Sequence, residues 1–506
     1  MISTKFLRWG PLFLISSLGL FLELVVIRWI AGEVRLFSYF KNLPLLAAFL
    51  GLSIGFALVG RSRNYSTAFA PLLGLFVVLV LAFRSLGVMA YPGGGDEFLW
   101  FTAPFSYWLS LVLFLGTVLV FFLLTMFLFI PLGQATGKEM ARHPPVQAYI
   151  VNILASLAGV WMFALVSYLR TSPVVWFGLA LLGIGIYLAV RQALSRFTLT
   201  IFVLVLVVLV AFGQGALWSP YQRLDIMELS LPRRSDGELV NVGYNLAVQQ
   251  VFYQQAIDLS SDFLAELQGE IPELEDMAFS YDLPYLLSPE GGRVLIVGAG
   301  MGNDAAAALR NHAGHIDAVE IDPVILALGR ELHPEHPYDD PRVTLITDDA
   351  RSFFKKSSDH YAVIAFGLLD SHTLLSGLSN VRLDSFVYTI ESFEQVREHL
   401  TEDGLAVVTF ATDESAPWIT ERLGRMLVQV FGEGNVFVHS RAGGVGTTFV
   451  AGPVSPDRLA EVQLAAWRPD PMADGLPLTT DSDPLPFSLR PIRHLWMLGF
   501  PYLIRI

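Results

Sequence analysis

The residues between 294 and 304 combine a strand, three glycines and an acid in a spacing that suits a bound nucleotide. The apolar run VLIV breaks at Gly298, Gly300 and Gly302, and a helix pattern follows. Glycines at a strand-to-helix turn let the backbone approach a ligand closely. An acid at the helix start, here Asp304, caps backbone N–H groups and opposes a phosphate. We therefore predict a cofactor-binding turn, with a phosphate group and an uncharged nucleoside carrying a sulfonium tail as the two candidate ligands.

Acids at the ends of the next two strands decide between these ligands. Glu320 ends the run IDAVE, and Asp349 follows the run RVTLIT. A carboxylate in the position of Glu320 accepts both hydroxyls of a ribose and rejects a 2′-phosphate. Asp349, one strand further along the edge, is placed to accept the exocyclic amine of adenine. Each acid alone is equally compatible with a solvated strand end or a helix cap, but the whole set favours an adenosine without phosphates.

A fourth strand end carries the candidate catalytic groups. After YAVIAFG the sequence places Asp370 and His372 on either side of Ser371. A carboxylate and an imidazole at the carboxyl end of a central strand are typical partners for proton transfer. A loop-ordering role is equally open, because adjacent loop residues need not contact each other. Arg382 and Asp384 are candidate substrate-binding residues that would close this loop, with an ordinary ion pair as the alternative.

A metal centre is not expected from this sequence. The chain has no cysteine, and its ten histidines form no HExxH-type pair. Thiolate ligands, disulfides and cysteine nucleophiles are therefore excluded.

The strands that must position these residues alternate with helices between residues 293 and 410. Short, β-branched, unbroken strands separated by helical periods indicate a parallel sheet covered on both faces. We predict helices near 303–312, 323–333, 349–356 and 391–400. This part of the chain, residues 286–490, is predicted to be a Rossmann-like nucleotide-binding domain, preceded by a small β-rich unit at residues 216–285.

The first part of the chain has the composition of a membrane domain. The protein is 53% hydrophobic and 16% charged, with a mean hydropathy of +0.53. Since about 20 apolar residues span a bilayer, we predict about seven transmembrane helices within residues 1–215. The expected spans are 11–30, 42–60, 68–88, 105–131, 147–168, 173–190 and 197–213. The apolar tail at residues 491–506 is short for a span, so it is expected to dock at the membrane interface.

Charge separates the two parts but does not fix their orientation. Residues 1–215 carry a net charge of +8, and the remainder carries −21. An acidic second half argues against nucleic acid as a partner, because phosphate neutralisation needs clustered Lys and Arg. Basic residues are shared equally between the two sets of connecting loops, so the positive-inside rule gives a tie. A nucleotide cofactor made in the cytosol favours a cytosolic second domain.

Residues 218–490 resemble the spermidine synthase family, the polyamine aminopropyltransferases built on an S-adenosylmethionine methyltransferase-like fold. The motifs that carry the resemblance are SPYQRL at 219–224, VLIVGAGMG at 294–302, VEIDP at 319–323, DDARSFF at 348–354 and TTDSDPLPF at 479–487. The resemblance implies that Gln222 and Tyr281 line the nucleotide and acceptor pocket, that Glu320 holds the ribose and that Asp349 holds the adenine. It implies S-adenosylmethionine or its decarboxylated form as a substrate.

Two positions depart from the family pattern. Met301 stands where the family carries an Asp that grips the amine of the decarboxylated nucleotide, and Gly367 stands where it carries the acid proposed as the base. A multiply charged amine needs carboxylates to bind and deprotonate it. These losses argue against ordinary spermidine synthesis and leave the group transferred, aminopropyl or methyl, undecided.

We therefore expect a membrane-bound, spermidine synthase-like transferase that acts on an unidentified small-molecule acceptor, an amine or a compound delivered by the lipid bilayer. The architecture resembles that of the membrane-fused bacterial members of the family, which implies a location in the bacterial inner membrane. A homodimer is one assembly that we consider. The alternatives are a true polyamine aminopropyltransferase, in which Asp370 acts as the base, and a non-catalytic membrane protein that senses an adenosine nucleotide.

Overall fold

A computed structural model describes residues 2–86, 106–213, 215–288, 290–367, 384–410, 417–440, 447–462, 464–473 and 476–484. The chain forms two compact units. The first comprises residues 1–92, 101–225 and 248–251, and the second comprises residues 93–100, 226–247 and 252–506. The sequence-based boundary at residue 215 lies inside the first unit, which extends to Asp225.

The first unit is helical. Each of the seven apolar stretches forms a helix, and a short additional helix follows the first one. The helices are α1 Ile2–Glu33, α2 Arg35–Tyr39, α3 Asn42–Ala57, α4 Phe69–Leu86, α5 Tyr107–Met140, α6 Pro145–Tyr168, α7 Pro173–Val190 and α8 Arg196–Phe212. Among the described residues, α1 and α4–α7 contain stretches long and apolar enough to cross a membrane, whereas α3 and α8 are shorter.

Glycines allow the helices of this unit to approach closely. A Cβ on Gly51, Gly55 or Gly133 would lie only 2.2–2.3 Å from a backbone oxygen of the facing helix in the α3–α5 pair. Gly159 of α6 meets the Ser17 carbonyl of α1 in the same way. The small-residue stripe at 152–161 therefore packs against a helix. Small residues drive such packing where apolar burial offers no gain over lipid.

A four-stranded sheet follows the helices along the chain. Its strands are β1 Leu217–Trp218, β2 Arg223–Pro232, β3 Leu239–Val248 and β4 Val251–Ile257, in the order β1-β2-β3-β4. Two helices come next, α9 Ser261–Leu267 and α10 Pro272–Leu286. The range predicted as a β-rich unit, residues 216–285, thus contains four strands up to Ile257 and two helices after it. Pro272 at the first position of α10 and the Ser260 cap of α9 were the available helix-start signals.

The second unit contains an eight-stranded sheet in the order β12-β10-β11-β9-β8-β5-β6-β7. Its strands are β5 Arg293–Val297, β6 His315–Glu320, β7 Val343–Thr347, β8 Tyr361–Phe366, β9 Leu400–Phe410, β10 Val436–Ser440, β11 Thr447–Ala451 and β12 Ala465–Ala466. The five strands β5–β9 are parallel, and β11 pairs antiparallel with β9. The helices are α11 Asn303–Arg310, α12 Pro323–Leu332, α13 Ala350–Lys356, α14 Ile390–Glu398, α15 Pro417–Phe431 and α16 Pro456–Glu461.

The parallel strands are buried on both faces. On β5, Val294 and Ile296 belong to one apolar cluster, and Leu295 and Val297 belong to the other. This explains why the strand reads as an unbroken apolar run, as predicted from the sequence. The predicted Rossmann-like fold agrees with this sheet.

Candidate active site

The strand order reverses between β5 and β8, and this is where ligands bind in open α/β sheets. From β5 the chain adds β6 and β7 on one side and β8 and β9 on the other. The pairs Val297–Val319 and Val297–Phe366 place the carboxyl ends of β5, β6 and β8 at one edge of the sheet. The candidate residues that follow these strands therefore meet at one crevice.

The glycine turn is a left-handed backbone excursion that only glycine adopts without strain. Gly298, Gly300 and Gly302 have φ values of +71°, +56° and +114°. The Tyr338 hydroxyl lies 2.9 Å from the carbonyl oxygens of both Ala299 and Gly300 and donates between them. The N–H groups of Gly298 and Ala299 both donate to the Val319 carbonyl oxygen at 2.9 Å, so the turn is also fastened to the end of β6.

Glu320 faces this turn. Its side chain is 6% exposed, its Oε2 accepts the Gly300 N–H at 3.1 Å, and its Oε1 accepts the Asp322 N–H at 2.9 Å. Burial raises the pKa of Glu320 to about 7, and the two backbone hydrogen bonds oppose that rise. A buried carboxylate at a strand end, aimed at the glycine turn, has the geometry expected for a ribose acceptor.

Asp304 lies at the crevice between β5 and β8. A Cβ on Gly367 would stand 3.1 Å from Asp304 Oδ2 and 3.4 Å from the Gly298 carbonyl oxygen. The side chain is partly exposed, and desolvation raises its pKa to about 6. The acid is therefore directed at the end of β8 rather than at the turn alone.

Asn303, between Gly302 and Asp304, ties the helix start to its surroundings. Its Oδ1 accepts the Ile257 N–H at 3.1 Å and faces His333 Nε2 at 2.9 Å, while its Nδ2 donates to the Tyr281 hydroxyl at 3.1 Å. The Glu335 N–H donates to His333 Nδ1, so the proton of the neutral ring is on Nε2. Burial lowers the pKa of His333 to about 3, with nearby Arg310 acting in the same direction. Tyr281 therefore supports the turn through Asn303.

Gln254 of β4 is a site residue that the sequence reasoning missed. Its Oε1 accepts the Met301 N–H at 3.3 Å, and a Cβ on Gly300 would come within 2.1 Å of that oxygen. Its Nε2 is buried and has no hydrogen-bond partner among the described residues. An unpaired buried donor over the glycine turn is placed to bind a ligand acceptor. Its only signal in the sequence was its place in the seven-residue stretch QQVFYQQ, residues 249–255, which contains four glutamines.

A second missed feature is an ion pair that joins two of the motifs. Arg351, in DDARSFF, forms a bidentate pair with Asp481, in TTDSDPLPF, and both hydrogen bonds are 2.9 Å long. Arg351 Nη1 also donates to the Phe386 carbonyl oxygen and to Thr389 Oγ1. The pair therefore holds residues 386–389, which directly precede α14.

Other predicted site residues have simpler positions. Asp349 caps α13, with its Oδ1 accepting the Ser352 N–H at 2.9 Å, so the adenine role predicted for it stays a prediction. Gln222 lies in a turn of the first unit, where its N–H donates to Ser219 Oγ. Its role in the pocket likewise stays a prediction.

Several predicted positions are not covered by the structure. Asp370, His372 and Arg382 lie outside the described residues, as does the tail 491–506, and Asp384 is described only as backbone at the start of a 3₁₀ turn. Met301 is 1% exposed, so its side chain is buried beneath the turn. Within the described residues, no group of three or more His, Asp or Glu side chains could hold a metal ion.

The switch-point crevice, the glycine turn and the buried acid on the neighbouring strand define a Rossmann-like nucleotide-binding domain. Residues 279–435 match the family model for the spermine/spermidine synthase domain. This match confirms the family that the sequence motifs predicted for this part of the chain.

Individual relatives match shorter parts of the chain. A polyamine aminopropyltransferase from Pectobacterium carotovorum is 27% identical over 38% of this chain and 71% of its own length. One from Korarchaeum cryptofilum is 31% identical over 24% of this chain and 37% of its own length. Putrescine N-methyltransferase 2 from Nicotiana attenuata is 31% identical over 23% of this chain and 36% of its own length.

The comparison with solved structures gives matches at low identity. Spermidine synthase from Thermotoga maritima is 17% identical, covers 55% of this chain and 84% of its own, and gives a TM-score of 0.34.

Proposed function

We propose that this protein is a membrane-anchored transferase that binds S-adenosylmethionine or its decarboxylated form at the glycine turn and transfers an aminopropyl or methyl group to an amine acceptor. The relatives include both aminopropyltransferases and N-methyltransferases by name, which supports this pair of reactions. The five long apolar helices support the membrane anchor. A cytosolic second unit is part of the proposal.

The observation that carries the proposal is the contact between Glu320 and the glycine turn. A carboxylate 3.1 Å from the Gly300 N–H stands where it can exchange that bond for the two hydroxyls of a ribose. Gln254 Nε2 supplies an additional donor beside the same turn. Catalysis of an in-line displacement at a carbon attached to sulfur depends mainly on positioning, which such a rigid turn provides.

We infer the charge of the acceptor from two family positions at which this chain carries no carboxylate. Met301 and Gly367 replace two acids of the family pattern, so a multiply charged polyamine would find fewer carboxylates here than in the family. We propose an acceptor with fewer positive charges, delivered from solution or from the bilayer.

Calorimetry on the detergent-purified full chain tests the proposal. Titration with S-adenosylmethionine, its decarboxylated form and S-adenosylhomocysteine should give binding, and comparison of the first two identifies the preferred nucleotide. Glu320→Gln should weaken binding at least tenfold, because a ribose hydroxyl loses a charged acceptor worth about 1.5–3 kcal/mol.

Glu331→Gln, which changes an exposed carboxylate on the adjoining helix α12, is the matched control and should bind as the wild type does. Equal affinity of the wild type and Glu320→Gln would refute the ribose role. No binding of any of the three nucleosides to the wild type would refute the function.

A further inference from the structure

Asp304 lies where the strand order of the sheet reverses, and no described side chain neutralises its charge. Its carboxylate belongs to the first turn of α11 but is directed at the end of β8, where Gly367 offers no side chain. It forms no ion pair with the described part of the chain. A partly exposed acid at the crevice, with no cation beside it in the described part of the chain, is placed to meet a ligand.

We propose that Asp304 is the proton acceptor of the reaction, supplying from α11 the carboxylate that the end of β8 lacks at Gly367. This inference rests on the proposed function. A Cβ on Gly367 would stand 3.1 Å from Asp304 Oδ2, so an acid at either position would place its carboxylate in the same part of the crevice.

The chemical step balances with this residue. The acceptor amine enters as an ammonium, because alkylamines have a pKa of about 10. Asp304 takes one proton from it, which frees the lone pair of the nitrogen. That lone pair forms a bond to the carbon attached to the sulfonium, and the carbon–sulfur bond breaks with its electron pair going to sulfur. The products are a neutral thioether and the alkylated ammonium, and Asp304 then releases its proton to water. General base catalysis of this kind contributes about 10²–10⁴-fold to the rate.

Among the described residues, the charged and titratable neighbours of Asp304 leave it free to act in this way near neutral pH. Tyr285 of α10 donates from its hydroxyl to the Asp304 carbonyl oxygen at 3.3 Å, and Tyr338 lies beyond the turn. Burial raises the pKa of both tyrosines, so both stay neutral. The described carboxylate on the side of β6, Glu320, accepts a hydrogen bond from the turn.

A swap of the carboxylate between the two positions tests the proposal. Gly367 is not in the left-handed region, so Asp is compatible with its backbone, and Asp304→Ala removes the oxygen that would crowd it. The assay measures group transfer to two amines, 1,4-diaminobutane and octylamine, from S-adenosylmethionine and from its decarboxylated form. It compares the wild type with Asp304→Asn, Asp304→Ala and the double variant Asp304→Ala/Gly367→Asp. Asp276→Asn, an exposed acid on α10, is the control.

We expect Asp304→Asn and Asp304→Ala to lose about 10²–10⁴-fold in rate while binding S-adenosylhomocysteine within about threefold of the wild type. The double variant should regain at least tenfold over Asp304→Ala. The rising limb of the pH–rate profile near pH 6 should be absent from Asp304→Asn, because a base must be ionised to accept a proton. Where no amine turns over, calorimetry of the same amines with the S-adenosylhomocysteine complex should show at least tenfold weaker amine binding in Asp304→Asn.

An unchanged rate and pH profile in Asp304→Asn, or an unchanged amine affinity, would overturn the role of Asp304 while leaving the proposed function intact. A swap variant no faster than Asp304→Ala would show that the residue acts structurally. Failure of the wild type to bind any of the nucleosides would instead remove the proposed function, and this assignment with it.

Discussion

At the scale of single residues, Glu320 is a buried carboxylate whose two hydrogen bonds only partly offset the cost of its desolvation. Its carboxylate accepts two backbone hydrogen bonds, yet desolvation outweighs them and places the pKa of Glu320 at about 7. In the free protein it is therefore about half protonated at neutral pH. A ribose that donates two hydroxyls favours the ionised form, so the ligand and the proton compete for this group.

Nucleoside affinity should accordingly depend on pH. As pH falls below 7, the protonated fraction of Glu320 grows, and binding must expel one proton, so the dissociation constant should rise by up to about tenfold per pH unit. Above pH 8 it should be constant. Calorimetry with S-adenosylhomocysteine between pH 5.5 and 8.5 measures this, with Glu320→Gln expected to be flat and Asp304→Asn expected to keep the step. A flat wild-type profile would contradict the role of Glu320.

The sequence indicated the residues of the proposed nucleotide site better than their contacts. Gly298, Gly300, Gly302 and Glu320 were recognisable because strand ends and glycine spacing are local patterns. Gln254 was not, because it reaches the turn from β4 and lies 47 positions from Met301. Contacts of that separation depend on the packing of whole elements, about which a single sequence carries no local signal.

At the scale of elements, the glycines of α5 divide into two kinds. A Cβ on Gly133 would lie 2.2 Å from the Leu52 carbonyl oxygen of α3, whereas a Cβ on Gly116 would meet no atom of the described chain within 4 Å. The same residue type in one helix therefore has a packing role at one position and a neutral role at the other.

Alanine at these two positions should have opposite effects on stability. Gly133→Ala forces α3 and α5 apart and should cost about 1–3 kcal/mol, the usual cost of overpacking. Gly116→Ala should be neutral or stabilise the helix by up to about 1 kcal/mol. Thermal unfolding of both variants in the same detergent measures the difference. Equal melting temperatures would show that α3 and α5 do not pack as described.

Helix and strand positions were the most predictable elements. All seven apolar stretches form helices, and the strands of the parallel sheet lie where β-branched runs predicted them, because both periodicities are local. The helices α9 and α10 were missed because their sequence is mixed in polarity and their hydrophobic contacts are made with β3 and β4, which the sequence did not place beside them.

At the scale of the whole molecule, the number of membrane crossings decides on which side the second unit lies. Only five connecting residues separate α7 from α8, and the two helices pack against each other. A connection that short turns the chain back on itself. We therefore expect α8 to cross the bilayer although it has only 17 residues, which with α3 gives seven crossings.

The absence of native cysteine makes this testable with single cysteines at three exposed positions. With seven crossings, Arg170→Cys in the α6–α7 connection should react with a membrane-impermeant maleimide from the same side as Glu402→Cys in the second unit. Gln192→Cys in the α7–α8 connection should react from the opposite side. With five crossings, Gln192→Cys and Glu402→Cys would share a side. Labelling in intact cells against inverted vesicles also reports whether that side is the cytosol.

The ion pair between Arg351 and Asp481 has a consequence for biosynthesis. The two residues are 130 positions apart, so at about 5–20 residues per second the ribosome adds the second roughly 7–26 s after the first. During that interval Arg351 of the nascent chain has no carboxylate partner, and the segment containing Thr389 is not yet held in place. The attachment of this segment to α13 is therefore completed late in translation, after nearly all of the domain has been synthesised.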